Sequence, residues 1–332
     1  MKVKRIAVIG AGGWGLALGL LLHENKNEVI FWCYSEQEKN EILQHREHKR
    51  CLPAIKIPIE IQFTCDMKEA IEGADVAIMA VPSKAIRKTA QMMGAVIKQH
   101  TIVVNVSKGI EDGSLMCLAE VIEEEMTNPV VVLSGPSHAE EVARRIPTTV
   151  TVSSKQMDQA REIQELFMNP YFRVYTNDDL IGVELGGALK NVIALAAGIV
   201  EGMGYGDNTK AALITRGIAE ITRLGIAMGG KPATFSGLTG IGDLVVTCTS
   251  GHSRNRRAGE LVGQGLTINE AMERVNMVVE GVPTTKAAYA LMKKYKVEMP
   301  ILEAIYAVLF ENQPVKETID GLMMRHKKDE HE

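Results

Sequence analysis

The pattern of apolar and polar positions divides the chain near residue 180. Before that point, short apolar runs rich in β-branched residues alternate with longer segments of helical periodicity. Continuous apolar runs are typical of strands in buried parallel sheets. The strands predicted in this way are residues 5–9, 28–33, 75–81, 101–107, 130–134, 148–153 and 172–175. The helices predicted between them are residues 14–24, 36–44, 84–97, 115–125 and 156–166.

After residue 180 the strand pattern ends and only helical stretches follow. They are predicted at residues 183–201, 209–228, 256–262, 284–294 and 301–310. The alternation of strands and helices in the first part predicts a doubly wound α/β sheet covered by helices on both faces. We therefore expect an α/β domain over residues 1–180 and an all-helical domain over residues 181–332.

Length and composition fit two globular domains and argue against several partners. A chain of 332 residues exceeds the roughly 250–300 residues at which single cores stop growing. The formal net charge of −4 gives no reason to expect nucleic-acid binding. Five scattered cysteines without a Cys-x-x-Cys pair predict neither a disulfide framework nor a zinc site, so no metal is expected. This use of cysteine fits a reducing cytoplasm.

The N-terminus has the outline of a secretory signal peptide, because Lys2, Lys4 and Arg5 precede an uncharged run over residues 6–23. Glycines interrupt that run at five positions and a predicted strand follows directly, so we expect a βαβ unit there instead. The other apolar runs are too short to span a bilayer, which needs about 20 residues. We therefore expect a cytoplasmic protein without a membrane span.

A glycine-rich turn, Gly10-Ala-Gly-Gly-Trp-Gly15, follows the first predicted strand and fits the pattern Gly-x-Gly-x-x-Gly. We expect Gly10 to permit the tight turn, Gly12 to let the backbone approach a pyrophosphate, and Gly15 to allow close helix–strand packing. The pyrophosphate would lie on free N–H groups at the positive end of the helix. The pattern predicts a Rossmann-like dinucleotide site, and the alternative is a glycine-rich turn without a ligand.

The end of the second predicted strand is expected to select the cofactor. An acidic residue there binds the ribose of NAD, whereas an arginine favours the 2′-phosphate of NADP. The segment reads Trp32-Cys-Tyr-Ser-Glu36, with no acid at the strand tip and no adjacent arginine. Glu36 lies further on and could equally begin the next helix. The sequence leaves the choice between NAD and NADP open and leans to NADP.

One predicted helix, residues 184–200, is apolar on nearly every face but carries Lys190 in its middle. A helix that is apolar all round is normally buried. A buried lysine has a lowered pKa and can exchange protons near neutrality. Many lysines instead bury only their stem, and the helix alone leaves both alternatives open. Together with the glycine turn, the pattern indicates a dehydrogenase whose acid/base group is Lys190.

Two polar clusters directly follow predicted strands, at the edge where open α/β sheets bind ligands. Ser107-Lys-Gly109 would let Lys108 reach both nicotinamide and substrate, unless it is a plain surface lysine. In Ser134-Gly-Pro-Ser137, small residues and free backbone N–H groups suit an anion or a cofactor edge. A structural turn without a ligand explains the second cluster equally well.

A third cluster, residues 240–257, lies in the helical part. Asp243 sits in a largely apolar, glycine-rich segment, and a desolvated carboxylate needs a cation such as Lys190. Asn191 and Asp243 could orient that lysine. Ser253-Arg-Asn255 offers hydroxyl, guanidinium and amide donors at a helix start, which suits a phosphate. The alternative is a capped helix with an exposed basic face.

Together these motifs predict a nucleotide-binding site, a binding site for a small phosphorylated substrate and a buried lysine. Hydride would move between the nicotinamide C4 and a carbonyl or carbinol carbon, whose oxygen gains or loses a proton. We expect Lys190 to carry that proton and Arg254 to hold the substrate phosphate at a fixed distance.

The motifs together resemble those of the bacterial NAD(P)H-dependent glycerol-3-phosphate dehydrogenases. Matching blocks occur in the family's order at residues 10–15, 107–109, 134–137, 184–200, 206–217, 240–257 and 278–281. The resemblance implies a Rossmann-like domain joined to a helical domain like that of 6-phosphogluconate dehydrogenase. It also implies reversible reduction of dihydroxyacetone phosphate to sn-glycerol 3-phosphate for phospholipid synthesis.

The resemblance assigns roles to individual residues. It implies that Lys190 is the proton donor and acceptor and that Lys108 touches both cofactor and substrate. The other implied substrate-site residues are Gly135, Ser137, Asp243, Ser253, Arg254 and Asn255. The implied dinucleotide contacts are Gly13, Trp14, Tyr34, Ala139, Arg254, Val278 and Glu280. Cys33-Tyr-Ser35 departs from the family, many of whose members carry His or Arg there.

Two other functions remain open at this point. Dehydrogenases of the 6-phosphogluconate type also pair a Rossmann-like domain with a helical domain that carries a lysine. A non-catalytic NAD(P)H sensor would keep the glycine turn but need neither Lys190 nor Arg254. The apolar helical part is also compatible with a homodimer.

Overall fold

The computed structural model describes residues 3–327 and 329–330, so Lys2 and the outermost residues of both predicted domains lie outside the described part. Its strands are β1 (Arg5–Ile9), β2 (Glu28–Trp32), β3 (Gln62–Thr64), β4 (Val76–Met79), β5 (Ile102–Asn105), β6 (Val130–Ser134), β7 (Thr148–Ser154) and β8 (Phe172–Asn177). They form one sheet in the order β3-β2-β1-β4-β5-β6-β7-β8. The strands from β3 to β6 in this order run parallel, whereas β7 runs antiparallel to β6 and parallel to β8.

The sheet is buried on both faces. Ile6 and Val8 of β1 pack into one buried apolar cluster, and Ala7 and Ile9 of the same strand pack into another. Successive side chains of a strand point to opposite faces, so the two clusters are the two layers beside the sheet. The predicted doubly wound α/β sheet is confirmed, with an antiparallel edge that the pattern did not predict.

The helices of the sheet-forming part are α1 (Gly13–Glu24), α2 (Glu36–His45), α3 (Met67–Ile71), α4 (Ile86–Gly94), α5 (Leu118–Glu125), α6 (Ala139–Ala143) and α7 (Met157–Phe167). The helix predicted from residue 115 begins only at Leu118. Leu115 has a φ of 61°, in the left-handed region, and cannot continue a right-handed helix. The helix predicted at residues 84–97 starts as the 3-10 turn Ser83–Ala85 and continues as α4.

After β8 the described residues form helices and turns without a further strand. The helices are α8 (Leu180–Gly202), α9 (Asp207–Ala227), α10 (Pro232–Phe235), α11 (Asp243–Thr249), α12 (Arg254–Gly263), α13 (Ile268–Val275), α14 (Gly281–Tyr295), α15 (Pro300–Phe310) and α16 (Val315–Met323). A single π-helical turn, Leu238–Gly242, leads into α11. The sequence pattern misses α10, α11, α13 and α16.

The long helix α8 is the buried axis of the helical part. Every residue from Gly182 to Val200 is buried. With 23 residues, α8 is long and apolar enough to cross a membrane by length and composition, so the expectation that no apolar run reaches this length is wrong. Its most apolar window is entirely buried inside the protein, however, which is what a core helix requires.

Glycines bring the backbones of α8 and α12 into direct contact. A Cβ atom on Gly198 would lie 1.9 Å from the carbonyl oxygen of Arg256, and one on Gly259 would lie 2.0 Å from that of Leu195. No side chain fits at either position without a backbone shift. This close approach fixes the N-terminus of α12 beside the middle of α8, where Lys190 lies.

We expect Gly198→Ala to lower the free energy of unfolding by about 1–3 kcal/mol, because the added methyl group forces α12 away from α8. Gly321→Ala is the matched control, since a Cβ on that glycine of α16 meets no atom within 4 Å. Replacing it should stabilise the helix by about 0.5–1 kcal/mol. Thermal unfolding followed by circular dichroism measures both changes, and a Gly198→Ala protein as stable as the wild type would contradict the packing argument.

Candidate active site

The glycine turn between β1 and α1 leaves room for a ligand at the helix N-terminus. Gly10 has a φ of 112°, and a Cβ there would lie 2.7 Å from the carbonyl oxygen of Ala80. A Cβ on Gly15 would lie 2.2 Å from the carbonyl oxygen of Gly10. By contrast, a Cβ on Gly12 would meet no atom within 4 Å. Two glycines are therefore required by packing, while the open space at Gly12 fits the pyrophosphate of a dinucleotide.

Other residues expected at the cofactor lie around this turn. Gly13 begins α1, and a Cβ on it would lie 3.8 Å from the side chain of Ala139 at the start of α6. Trp14 is half-buried and packs against the sheet core. Tyr34 is 82% exposed just beyond β2 and meets the ring of Trp32 edge-on, with centroids 6.3 Å apart. Most of its phenol ring is thus accessible to a flat partner.

The two residues after Tyr34, Ser35 and Glu36, form the N-terminus of helix α2. The side chain of Ser35 accepts a hydrogen bond from the backbone N–H of Glu38 and caps the helix. The carboxylate of Glu36 forms an ion pair with Lys39 at 2.7 Å. Glu36 therefore begins the helix, which is one of the two alternatives that the sequence left open.

Glu280, at the N-terminus of α14, reaches back to the loops at the carboxyl ends of β4 and β5. Its Oε1 accepts a hydrogen bond from the backbone N–H of Ser83 at 2.9 Å, and its Oε2 accepts from the Ser83 hydroxyl. A Cβ on Gly109 would lie 2.6 Å from the Ser83 Cβ and 3.9 Å from the Glu280 Oε2. The carboxylate thus lies beside the Ser107-Lys-Gly109 loop, and Val278 is 39% exposed two residues earlier.

Asp243 is the centre of the site. Its Oδ2 accepts a hydrogen bond from the Nζ of Lys108 at 2.6 Å, and its Oδ1 accepts one from the Nζ of Lys190. Lys108 also donates to the carbonyl oxygen of Gly135 at 2.9 Å, and Lys190 donates to the hydroxyl of Thr247 at 2.7 Å. One carboxylate therefore binds two ammonium groups, that of Lys108 in the loop after β5 and that of Lys190 in α8.

Burial and mutual attraction set the charges of this cluster. The side chain of Asp243 is 1% exposed and that of Lys190 is 8% exposed. Burial lowers the pKa of Lys190 to about 8, against the opposing attraction of Asp243. Burial alone would raise the pKa of Asp243, but the charges of Lys108 and Lys190 outweigh it and hold that pKa below its usual value. Lys190 can therefore exist in both protonation states near neutral pH while Asp243 stays ionised.

Small polar groups surround the two lysines. Gly135 has a φ of 144°, which favours glycine, and its carbonyl oxygen also accepts a hydrogen bond from the Ser137 hydroxyl at 3.0 Å. Within the described residues, the Oγ of Ser134 and the Nε2 of His138 are buried without a hydrogen-bond partner. Burial and the charge of Lys190 lower the pKa of His138, so its imidazole is neutral. Unpartnered buried polar atoms are expected where a ligand supplies the missing partner.

The N-terminus of α12 presents a free guanidinium on a rigid frame. The side chain of Ser253 caps the helix by accepting from the backbone N–H of Arg256 at 3.2 Å. Asn255 donates to the Oδ1 of Asn191 at 2.8 Å and accepts from the backbone N–H of Gly281 at 2.9 Å. Arg254 is exposed, and no partner for its guanidinium is found among residues 3–327 and 329–330. Asn255 thus ties α8, α12 and α14 together, whereas Arg254 is available to an anion.

The structure differs from the sequence predictions at three points of the site. Asn191 bonds Asn255 rather than Lys190, so the group that orients the lysine together with Asp243 is Thr247. The hydroxyl of Thr247 lies one helical turn after Asp243 and donates to its backbone carbonyl oxygen at 2.6 Å. The spacing of four residues is the signal that sequence reasoning missed. Nothing in the sequence singled out the Nε2 of His138, which is buried without a hydrogen-bond partner among the described residues.

In the part of the chain that the structure describes, no group of three or more His, Cys, Asp and Glu side chains could hold a metal ion.

We expect Asp243→Asn to lower the pKa of Lys190 below about 8, because the carboxylate that opposes the effect of burial is gone. The measurement is the pH titration of the lysine Cε resonance in protein labelled with ¹³C-lysine. Asp178→Asn is the matched control, since Asp178 forms an exposed ion pair with Lys231 at 2.7 Å and should leave Lys190 unchanged. A Lys190 that titrates at the same or a higher pH in Asp243→Asn would contradict the electrostatic argument.

Comparisons with known proteins identify the family. Models of the N-terminus and the C-terminus of NAD-dependent glycerol-3-phosphate dehydrogenase match residues 5–160 and 179–320. The chain is 55% identical over 327 residues to a glycerol-3-phosphate dehydrogenase [NAD(P)+] of Fusobacterium nucleatum, covering 98% of both chains. It is 56% identical to the enzyme of the same name from Bacillus subtilis, covering 99% of this chain and 97% of the relative.

A solved structure agrees with these matches. The crystal structure of the glycerol-3-phosphate dehydrogenase of Coxiella burnetii superposes with a TM-score of 0.94 at 38% identity, covering 97% of this chain and 99% of the other. The combination of a Rossmann-like sheet with a helical C-terminal part is thereby confirmed. The chain belongs to the NAD-dependent glycerol-3-phosphate dehydrogenase family.

Proposed function

We propose that this protein catalyses the reversible reduction of dihydroxyacetone phosphate to sn-glycerol 3-phosphate with NAD(P)H, supplying glycerol 3-phosphate for phospholipid synthesis. The observation that carries this proposal is the buried carboxylate of Asp243, shared by Lys190 and Lys108. A carbonyl reduction needs a proton donor in a desolvated site, and Lys190 has that position. A sensor would not need this lysine, and the family to which the chain belongs favours this substrate over that of the 6-phosphogluconate type.

The dinucleotide site that we propose consists of the glycine turn Gly10–Gly15 with the side chains around it. The open space at Gly12 would take the pyrophosphate, and the exposed ring of Tyr34 would stack on the adenine. Bound there, the nicotinamide supplies the hydride. Ala139, Val278 and Glu280 would complete the contacts that the family resemblance implies.

We propose that both NADPH and NADH are accepted and that NADPH is preferred. No carboxylate stands at residues 33–35, directly after β2, where an acidic residue would select the ribose of NAD. The nearest carboxylate, Glu36, is already paired with Lys39. A 2′-phosphate therefore meets no negative charge at the strand tip.

In the proposed mechanism Lys190 moves the proton and its neighbours position it. During reduction the ammonium of Lys190 donates a proton to the carbonyl oxygen of the substrate, and in the reverse direction the neutral amine accepts it. Asp243 and Thr247 hold the Nζ of Lys190 in place. Lys108, tied to the other oxygen of Asp243, would bind the substrate oxygen and face the nicotinamide.

The substrate phosphate would bind at the N-terminus of α12. Arg254 is exposed and unpaired in the described structure, and a guanidinium can bind two phosphate oxygens at once. Ser253 and Asn255 flank it on a frame fixed by the Asn255–Asn191 hydrogen bond. Gly135 and Ser137 would line the opposite side, near Lys108.

We also propose that the boundary between the two domains lies between residues 180 and 181, that the protein is cytoplasmic and that it forms a homodimer.

The direct test is oxidation of NADPH and of NADH, in parallel, with dihydroxyacetone phosphate. We expect turnover with both cofactors and a rate that falls as pH rises through about 8, where Lys190 loses its proton. Lys190→Met nearly keeps the length of the side chain but removes the amine that carries the proton, so kcat should fall by about 10²–10⁴-fold. Dinucleotide affinity should change little. A Lys190→Met enzyme with wild-type turnover would remove the proposed acid, and no turnover with either cofactor in the wild type would refute the reaction.

We expect Arg254→Ala to raise the KM for dihydroxyacetone phosphate by roughly 10–150-fold, because one charge-assisted contact contributes about 1.5–3 kcal/mol. Arg257→Ala is the matched control, since Arg257 is exposed on the same helix three residues later. Steady-state kinetics of both variants at saturating NADPH provide the comparison. Equal effects of the two substitutions would show a general loss of positive charge instead of a phosphate site at Arg254.

A further inference from the structure

The turn between α11 and α12, residues 250–253, is supported by a side chain that the proposed reaction does not use. The Nε of Arg256 donates a hydrogen bond to the carbonyl oxygen of Ser250 at 2.9 Å. The same carbonyl oxygen accepts from the backbone N–H of Ser253 at 3.3 Å, which closes the turn. Arg254 follows as the first residue of α12. The guanidinium of Arg256 therefore stabilises the turn that precedes the proposed phosphate-binding residue.

Glu201, near the C-terminal end of α8, contacts the other side of this guanidinium. Its Oε2 forms an ion pair with the Nη1 of Arg256 at 2.6 Å, and the Nζ of Lys210 in α9 lies 3.4 Å from the same oxygen. The side chain of Arg256 is only 11% exposed, so water and salt screen this pair less than a pair at the surface. One carboxylate thus compensates the charges of cations from two helices.

Backbone contacts fix the place of Glu201 relative to α12. A Cβ on Gly198, one helical turn earlier, would meet the carbonyl oxygen of Arg256. A Cβ on Gly202, the next residue, would lie 2.1 Å from the carbonyl oxygen of Glu260. Since these contacts already hold the two helices together, the ion pair is not needed to join them. Its effect is to fix the side chain of Arg256.

The charge of Glu201 is essential to this arrangement. Burial alone would raise the pKa of Glu201, but Arg256 and Lys210 outweigh it and hold that pKa below its usual value. A neutral glutamine in its place would leave two cations near each other without an anion, and like charges repel. We expect the side chain of Arg256 then to turn towards water and release the carbonyl oxygen of Ser250.

The turn joins the two helices on which the proposed chemistry depends. The helix before it, α11, carries Asp243 and Thr247, and the helix after it begins with Arg254. A looser turn would let Arg254 move away from a bound phosphate. Lys190 would meanwhile stay bound to α11 through its own hydrogen bonds. Phosphate binding and proton transfer should therefore respond differently to a change in the turn.

We propose that Glu201 is a positioning residue for the substrate phosphate, a role that rests on the proposed function. Its carboxylate fixes Arg256, Arg256 fixes the turn of residues 250–253, and the turn places the guanidinium of Arg254. That guanidinium is exposed and has no partner within residues 3–327 and 329–330. The backbone that carries Arg254 therefore decides which positions its side chain can reach.

The test compares dihydroxyacetone phosphate with dihydroxyacetone, which lacks the phosphate, at saturating NADPH. We expect Glu201→Gln to raise the KM for dihydroxyacetone phosphate by about 3–10-fold, because the phosphate contact is misplaced but not removed. The kcat with this substrate and the kcat/KM for dihydroxyacetone should stay unchanged. Glu260→Gln is the matched control and should behave as the wild type, since Glu260 lies 3.6 Å from the same Nη1 of Arg256 but within α12 itself.

Two further variants separate positioning from a general loss of stability. In an Arg254→Ala background, Glu201→Gln should raise the KM no further, because the guanidinium on which it acts is gone. Arg256→Lys should resemble Glu201→Gln, since a single ammonium lacks the planar fork that reaches Glu201 and Ser250 together. Additive effects of Glu201→Gln and Arg254→Ala on the KM, or an equal loss of kcat/KM with dihydroxyacetone, would overturn the proposal. A wild-type KM in both Glu201→Gln and Arg256→Lys would also overturn it.

A measurement without substrate tests the support of the turn directly. In protein labelled with ¹⁵N-arginine, the Nε–H resonance of Arg256 is assigned by its loss in Arg256→Lys. We expect its exchange with water to be about ten-fold faster in Glu201→Gln than in the wild type and in Glu260→Gln. Turnover by the wild type with unchanged exchange in Glu201→Gln would overturn this inference alone. A wild type without turnover of dihydroxyacetone phosphate would overturn the proposed function and this inference with it.

Discussion

The carboxylate of Asp243 is the interaction on which the site depends. Two ammonium groups from different elements, Lys108 after β5 and Lys190 in α8, meet within hydrogen-bond distance of one buried anion. Without that anion, two positive charges would face each other in a desolvated space, which costs several kcal/mol per ion. The same carboxylate that makes burial of the lysines tolerable also opposes the effect of burial on the pKa of Lys190. One group therefore contributes both to the stability of the site and to the readiness of Lys190 to release its proton.

Backbone contact between helices keeps this arrangement rigid. The glycines of α8 and α12 allow the two helices to approach without side chains between them, and Asn255 then bonds Asn191 across the contact. Arg254 is consequently held at a fixed distance from Lys190, although its own side chain has no partner in the described part of the protein. A free cation on a fixed frame is suited to a ligand of defined length, such as a three-carbon phosphate ester.

Sequence reasoning could predict what depends on local pattern. The strands, the glycine turn and the buried position of α8 follow from runs of apolar residues and from Gly10–Gly15. It could not find β3, whose three paired residues include only one that is buried, or the delayed start of α5 after a left-handed Leu115. The partner of Asn191 also lay beyond it, because that contact depends on which surfaces meet in three dimensions. The family resemblance supplied Glu280, for which the local sequence offers no physical signal.

The contact between Glu280 and Ser83 has a consequence for any attempt to dissect the protein. A carboxylate from the C-terminal half satisfies the backbone N–H of Ser83, in the turn after β4 and beside the loop that carries Lys108. A fragment containing only the sheet would retain the glycine turn, yet it would lose this anchor together with Asp243, the partner of Lys108. The proposed nicotinamide half of the binding site would in this sense be built from both halves of the chain, and neither half alone would suffice for the proposed reaction.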